Sequence, residues 1–138
     1  MTVLRMMFLF ACVVVGAGCG PGVATAPIKG KVLLDSKPLP KGTIRFESAG
    51  NRAATGKIVD GEIVEVTTYS PGDGAPIAKH MIAVWATEEA SNDPGKANYM
   101  AGKSLIDTSY NNPEHSGLEA TIDSGQNIIE LRLVTKRK

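Results

Sequence analysis

The chain alternates apolar and polar residues over most of its length from Ile28 onward, the pattern of half-buried β-strands. In the first strand, Ile28, Val32 and Leu34 share one face, with Gly30 between them. Turn-forming residues separate the alternating segments every 8 to 12 positions. The pattern predicts an all-β fold, an antiparallel seven-stranded β-sandwich of prealbumin/Ig-like type. The predicted strands are 28–35, 43–48, 55–59, 62–68, 79–87, 118–123 and 129–133.

Two connections in this pattern have a predicted geometry. Asp60-Gly61 favours a two-residue hairpin between the third and fourth strands. The segment 70–76 is rich in proline and glycine, so it predicts a structured crossover loop before the fifth strand. In the fourth strand, Val64 and Val66 are expected to face the core. In the fifth, His80 lies on the face of Ile82, Val84 and Ala86, and Trp85 lies on the other.

The segment 88–117 has no convincing strand pattern and is long for a connection, which indicates either function or disorder. Within it, Asn112 to Gly117 predicts one helical turn, with Asn as the N-cap, Pro at the first helical position and Gly at the exit. The folded domain is expected to span 28–135, followed by a basic tail at 136–138.

The N-terminus has the order of a secretory signal peptide: a basic residue at Arg5, an apolar run over 6–15, then small residues. A membrane-spanning helix would need about 20 apolar residues, and this run is shorter; an uncleaved anchor helix or a buried core helix is the alternative. We therefore predict a signal peptide at 1–18 and a flexible Gly/Pro-rich tether at 19–27, and an exported protein.

The charge balance excludes one class of partner. Cleavage of the signal peptide would remove Arg5, one of the 15 basic residues. The mature protein would then have as many basic residues as acidic ones, of which there are 14. No basic patch of the kind that binds nucleic acid is present, so no nucleic-acid partner is expected. The tail at 136–138 is expected to be solvated.

The residues Ala17-Gly18-Cys19 resemble the lipobox of bacterial lipoproteins, with Gly16 where Leu is usual. A rival lipobox ends at Cys12, but cleavage there would leave a much shorter apolar region. The resemblance implies that Cys19 carries a diacylglyceryl group and an acyl chain such as palmitate, which would hold the protein on the cell membrane or outer membrane. Since Cys12 is removed with the signal, no intrachain disulfide is expected.

The rest of the chain resembles small lipoproteins of Planctomycetes-type bacteria that carry a carboxypeptidase regulatory-like, or transthyretin-like, domain. The resemblance lies in Gly30-Lys31-Val32, Lys37-Pro38-Leu39, Gly42 to Phe46, Thr68 to Ile77 and Tyr110 to Leu118. The chain departs from the pattern of these lipoproteins at Ala78, where Gly is common, and at His80, where an aromatic residue is common. The resemblance implies a prealbumin-like sandwich, generally without assigned biochemistry.

The sequence offers few residues for catalysis. The two histidines, His80 and His115, lie far apart in the sequence, no Cys/His cluster with zinc spacing exists, and we expect no metal and no cofactor. Asp73, between two glycines, is more typical of a turn than of a calcium site, and Asp107 has no calcium loop around it. The candidate binding residues are Asp73, Gly74, Trp85, Tyr99, Tyr110 and His115.

Two functional classes stay open. The first is a non-enzymatic, monomeric envelope module that binds a protein, a glycan or another envelope component through the segment 88–117 and the loop 70–77. The second is a small hydrolase or ligand carrier with a site near His80, His115, Tyr110 and Asp107. An enzyme would require these polar groups to converge in a pocket with perturbed proton affinities.

Overall fold

The computed structural model describes residues 22–89 and 102–138, and within them the chain is almost entirely β-strand. A 3-10 turn at Thr108–Asn111 and a short helix α1 at Pro113–Ser116 are the helical elements of this part. Strands β1 to β10 are Thr25–Ala26, Ile28–Leu34, Lys37–Pro38, Lys41–Glu47, Ala54–Val59, Glu62–Thr67, Ala75–Pro76, Lys79–Trp85, Glu119–Thr121 and Asn127–Leu133.

Seven of these strands form one curled sheet in the order β10-β2-β6-β5-β4-β8-β9, with the short β3 paired to β2. They are the seven strands that the alternation predicts, so the all-β, sandwich-like fold is confirmed. Two further two-residue strands, β1 and β7, pair with each other beside the sheet. Residues 25–26, predicted to belong to the flexible tether, therefore lie in a strand.

One strand pair differs from the predicted antiparallel arrangement. β10 runs parallel to β2, from Asn127 opposite Ile28 to Leu133 opposite Leu34. The two strands approach closely at Gly30, where an added Cβ would lie 2.4 Å from the carbonyl oxygen of Ile129. Strand direction depends on where the chain returns after the irregular segment, and the alternation of side chains does not report it.

The core lies inside the curl of the sheet. Ile44, Phe46, Ile82 and Val84 are fully buried there, as their alternation predicts. The segment after β8 closes the core, because Ile106 and Tyr110 are also buried in it. The described part of the predicted irregular segment is thus packed structure. Its residues 90–101, together with the predicted signal at 1–18, Cys19 and Tyr99, lie outside the described residues.

β6 departs from the predicted alternation. Ile63 and Val66 are buried, whereas Val64, which we expected to face the core, is only half-buried. The pairing of β5 and β6 shifts register between Thr55 and Lys57, and Glu65 has a positive φ of 54°. This bulge inserts one extra residue and changes which side chains face inward.

The predicted hairpin turn at Asp60-Gly61 and the predicted helical turn at 112–117 are confirmed. Asp60 and Gly61 have φ values of 49° and 79° and join β5 to β6, as expected for a tight hairpin. Asn112 caps α1 by accepting a hydrogen bond from the N–H of Glu114, and Gly117 ends the helix in the left-handed conformation.

The sheet has two ends, which we call the β1 end and the hairpin end. At the β1 end lie β1, β7 and the first residues of β2 and β10, where the N–H of Asn127 donates to the carbonyl of Pro27. At the hairpin end lies the Asp60-Gly61 turn, whose Gly61 N–H donates to the carbonyl of Leu39. Six residues of β6 separate the two ends, about 20 Å at roughly 3.3 Å per residue.

Candidate functional site

The loop between β6 and β7 is built around the carboxylate of Asp73. This carboxylate accepts hydrogen bonds from the N–H groups of Thr68 at 2.7 Å, Tyr69 at 2.9 Å and Ser70 at 3.1 Å. Desolvation raises the pKa of Asp73, but these backbone hydrogen bonds favour the charged form, and the pKa lies below its ordinary value of 3.8. The loop itself therefore uses three of the roughly four lone pairs with which the carboxylate could bind a ligand.

Gly74 joins this loop to the residues of the N-terminal strand β1. Its φ is 87°, and an added Cβ would lie 1.9 Å from the carbonyl oxygen of Ala26. The hydroxyl of Thr68 donates to the carbonyl of Gly74 at 2.7 Å, in a buried contact. The N–H of Ile77 donates to the carbonyl of Ala24 at 3.0 Å. The loop therefore holds the N-terminal residues of the domain at the β1 end.

His80 is fully buried on the core face of β8, as its position in the alternation predicts. Its Nε2 lies 2.7 Å from the carbonyl oxygen of Pro76, which accepts only, so Nε2 carries a proton. The ring packs edge-on against Phe46, with ring centroids 6.1 Å apart. Nδ1 has no hydrogen-bond partner among the described residues. His80 therefore connects β8 to β7 within the core.

A second polar cluster lies at the hairpin end, where Asp107 begins the 3-10 turn. Its carboxylate accepts from the Ser109 hydroxyl at 2.6 Å and from the N–H groups of Arg137 at 2.7 Å and Ser109 at 2.9 Å. These contacts, the Ser109 hydroxyl first, lower the pKa of Asp107 from 3.8 to about 2. The carboxylate is thus held ionised by the turn and by the C-terminal chain.

Arg137 is the central residue of this cluster. Its guanidinium carbon lies 4.1 Å from the centre of the Tyr110 ring, within the range of a cation–π contact. The same group donates to the carbonyls of His115, at 3.2 Å, and Ser116. Residue 137 was expected in a solvated tail; it is exposed, and it also fastens the C-terminus to α1 and the 3-10 turn. A Lys-Arg-Lys ending carries no sequence signal for such a contact.

Three candidate residues of the hydrolase hypothesis, Asp107, Tyr110 and His115, all contact Arg137, but His115 does so only through its backbone carbonyl. His80 is in the core, whereas the side chain of His115 is on the exposed surface of α1. The hydroxyl of Tyr110 accepts from the N–H of Val134 at 3.3 Å. Within residues 22–89 and 102–138, no three His, Cys, Asp or Glu side chains converge as metal ligands would.

Trp85 lies on the outer face of β8, opposite Thr43 in β4, and is half-buried. It lines an open depression of about 530 Å³ together with Lys41, Thr43 and Lys57. His80, on the core face of β8, does not line this depression. The loop 70–77 is at the β1 end, and Asp107, whose N–H donates to the carbonyl of Val134, is at the hairpin end. The loop 70–77 and the part of the segment 88–117 at Asp107 therefore lie at opposite ends of the sheet.

Comparison with known proteins adds no relative to this picture. No protein-family model, no curated protein and no solved structure matches the chain. The resemblance to carboxypeptidase regulatory-like lipoproteins therefore stays a prediction. Across the two described ranges, neither helical segment has the length and apolar character that a membrane crossing requires.

Proposed function

We propose that the protein is a lipid-anchored module of the bacterial cell envelope with a structural or binding role and no catalytic activity of its own. In this proposal the acylated Cys19 holds an exported, transthyretin-like sandwich on the cell membrane or outer membrane. The domain then presents its surface to a protein, a glycan or another envelope component.

One observation supports the non-enzymatic role: polar side chains that a catalyst would need form hydrogen bonds within the fold. Asp73 bonds three amides of its own loop, and Asp107 bonds the 3-10 turn and the C-terminal chain. His80 bonds a backbone carbonyl in the core, and the Tyr110 hydroxyl bonds a backbone N–H. Each group stabilises the fold, which supports a scaffold over a hydrolase built on His80, His115 and Tyr110.

The anchor is supported by the order of the N-terminal sequence and by the cysteine count. A single cysteine that follows a signal peptide has no second cysteine with which to form an intrachain disulfide. Its presence is explained if it is a lipid attachment point. Strand β1, Thr25–Ala26, begins six positions after Cys19 and pairs with β7. Such a short connection suits a domain that is carried close to its membrane.

The substitution Cys19→Ala tests the anchor. We expect the variant to accumulate as an unprocessed precursor that incorporates no radiolabelled palmitate, while the Cys12→Ala control is processed and labelled like the wild type. Normal labelling and maturation of Cys19→Ala would contradict the anchor. Chemical crosslinking in intact cells, followed by mass spectrometry of the captured material, would then identify what the anchored domain contacts.

A further inference from the structure

Besides Ile128 in β10, which is 81% exposed, three exposed apolar side chains lie on the segments that form the β1 end. Val23 is 43% exposed, Tyr69 48% and Ile77 41%. Val23 precedes Ala24, whose carbonyl accepts from the N–H of Ile77. Tyr69 belongs to the loop that Asp73 holds by its backbone amides. These three residues, which we call the apolar rim, are thus carried by segments bonded to one another.

The backbone that carries the apolar rim is already ordered in the folded domain. The Asp73 carboxylate orders the loop at Tyr69, and the pairing of β1 with β7 orders the chain next to Val23 and Ile77. Contact with a second surface would therefore cost little further backbone entropy. Tyr is also among the residues that favour the membrane–water interface, because its ring is apolar and its hydroxyl is polar.

The length of the chain before the apolar rim limits how far the domain can rise from a bilayer. Ala24 follows Cys19 by five positions, and a fully extended chain of that length spans about 17 Å at roughly 3.3–3.6 Å per residue. The hairpin end lies about 20 Å beyond the β1 end along β6. An anchor at Cys19 therefore keeps Ala24, and with it the carbonyl bonded to Ile77, within about 17 Å of the anchored residue.

The charges at the β1 end offer no strong electrostatic preference. Lys79 is paired with Glu119 at 2.8 Å, and the Asp73 carboxylate is bonded to amides. The exposed side chains of Arg52 and Asp123, in the neighbouring turns, have opposite signs. Attraction to anionic lipids requires several basic groups of one sign, so the contact would depend on the apolar side chains.

We propose that the β1 end rests on the lipid bilayer, with Val23, Tyr69 and Ile77 inserted among the headgroups, so that the hairpin end faces away from the membrane. This inference rests on the proposed lipid anchor at Cys19. It assigns the loop 70–77 to the membrane and leaves the depression beside Trp85 and the hairpin end for a partner.

The test uses the full-length protein, acylated in cells and reconstituted into phosphatidylcholine vesicles. An acylated Cys19 leaves no free thiol after Cys12 is removed, so one introduced cysteine can be labelled alone. Ser70→Cys places a fluorophore beside Tyr69 without removing it, and Val59→Cys places one next to the Asp60-Gly61 hairpin. Val59 is the matched control for the β1 end, because its side chain is 49% exposed and that of Tyr69 is 48% exposed.

Lipids with a nitroxide on the headgroup quench a fluorophore only at short range. We expect most of the emission at position 70 to be lost, with no change at position 59. The added substitutions Tyr69→Ser and Ile77→Ser should restore the emission at 70, whereas Val59→Ser should leave it quenched. The proposal is overturned by equal quenching at both positions or by no quenching at position 70. It is also overturned if the quenching survives Tyr69→Ser and Ile77→Ser, or if it appears only with anionic lipid.

Flotation of the same vesicles separates this proposal from the anchor. Protein that floats with the vesicles without quenching at position 70 retains the anchor and refutes the membrane contact. Protein that does not float, or whose Cys19 takes up the thiol label, refutes the anchor itself.

Discussion

The substitution Asp73→Asn removes the charge on which the loop between β6 and β7 depends. One carboxylate oxygen accepts from Thr68, and the other accepts from Tyr69 and Ser70. An asparagine has one oxygen, and its NH₂ group donates, so it cannot accept from all three amides in the same geometry. Either orientation of the side chain places donor against donor at one side of the loop.

The magnitude follows from the number of hydrogen bonds and their exposure. A hydrogen bond to a charged group contributes about 1.5–3 kcal/mol, but water can replace part of this for the exposed amides of Tyr69 and Ser70. We therefore expect the free energy of unfolding to fall by about 2 kcal/mol. With a urea m-value of about 1–3 kcal/mol/M, the midpoint should fall by roughly 0.7–2 M.

The loss should depend on pH in a defined direction. The pKa of Asp73 is lowered in the folded protein, so the carboxylate adds stability above the unfolded-state pKa, which is ordinarily about 3.9. That stability is lost as the pH falls through the folded-state pKa. The difference between wild type and Asp73→Asn should therefore be largest at neutral pH and shrink below about pH 4.

Urea unfolding of residues 22–138, followed by the fluorescence of Trp85, the single tryptophan, measures both effects. Asp123→Asn is the control, because the Asp123 side chain is exposed and accepts no hydrogen bond from the described residues. Equal midpoints for the two variants at neutral pH would refute the role of Asp73. A difference that grows in acid would refute the electrostatic explanation.

Two further substitutions test the C-terminus and the parallel strand pair. Arg137→Ala removes the contacts with Tyr110 and α1, so it should lower the free energy of unfolding by about 1–2 kcal/mol and speed hydrogen exchange in the 3-10 turn. The control Lys138→Ala should change neither the stability nor the exchange rate. Equal exchange in both variants would contradict the contact. Gly30→Ala places a Cβ against the Ile129 carbonyl and should cost about 1–3 kcal/mol. Thermal unfolding measures this loss, and an unchanged melting temperature would show that β2 and β10 are not in such close contact.

The strands were predictable because each needs only local information. A residue such as Ile44 or Phe46 is buried because its neighbours in sequence are polar and the strand must place alternate side chains on opposite faces. The Asp60-Gly61 hairpin and the helical turn capped by Asn112 were predictable for a related reason. Their backbone angles suit a few residue types, so the residues indicate the geometry.

The candidate site was predicted less completely. Asp73 was expected to bond its own loop, and it does, with three amides in place of a ligand. Arg137 was missed, since a basic residue near a chain terminus is ordinarily solvated. Its contacts arise because β10 ends beside Asp107 and Tyr110, which are about 30 positions earlier in the chain.

The amino-acid sequence determined the strands, the turns at 60–61 and 112–117, and the inward faces of the strands other than β6, because these follow from alternation and from local backbone preference. Only the tertiary structure decided the parallel direction of β10, the bulge at Glu65 and the placement of the loop 70–77 and Asp107 at opposite ends of the sheet. These features depend on which distant segments meet, and the energy of such contacts is absent from any local pattern.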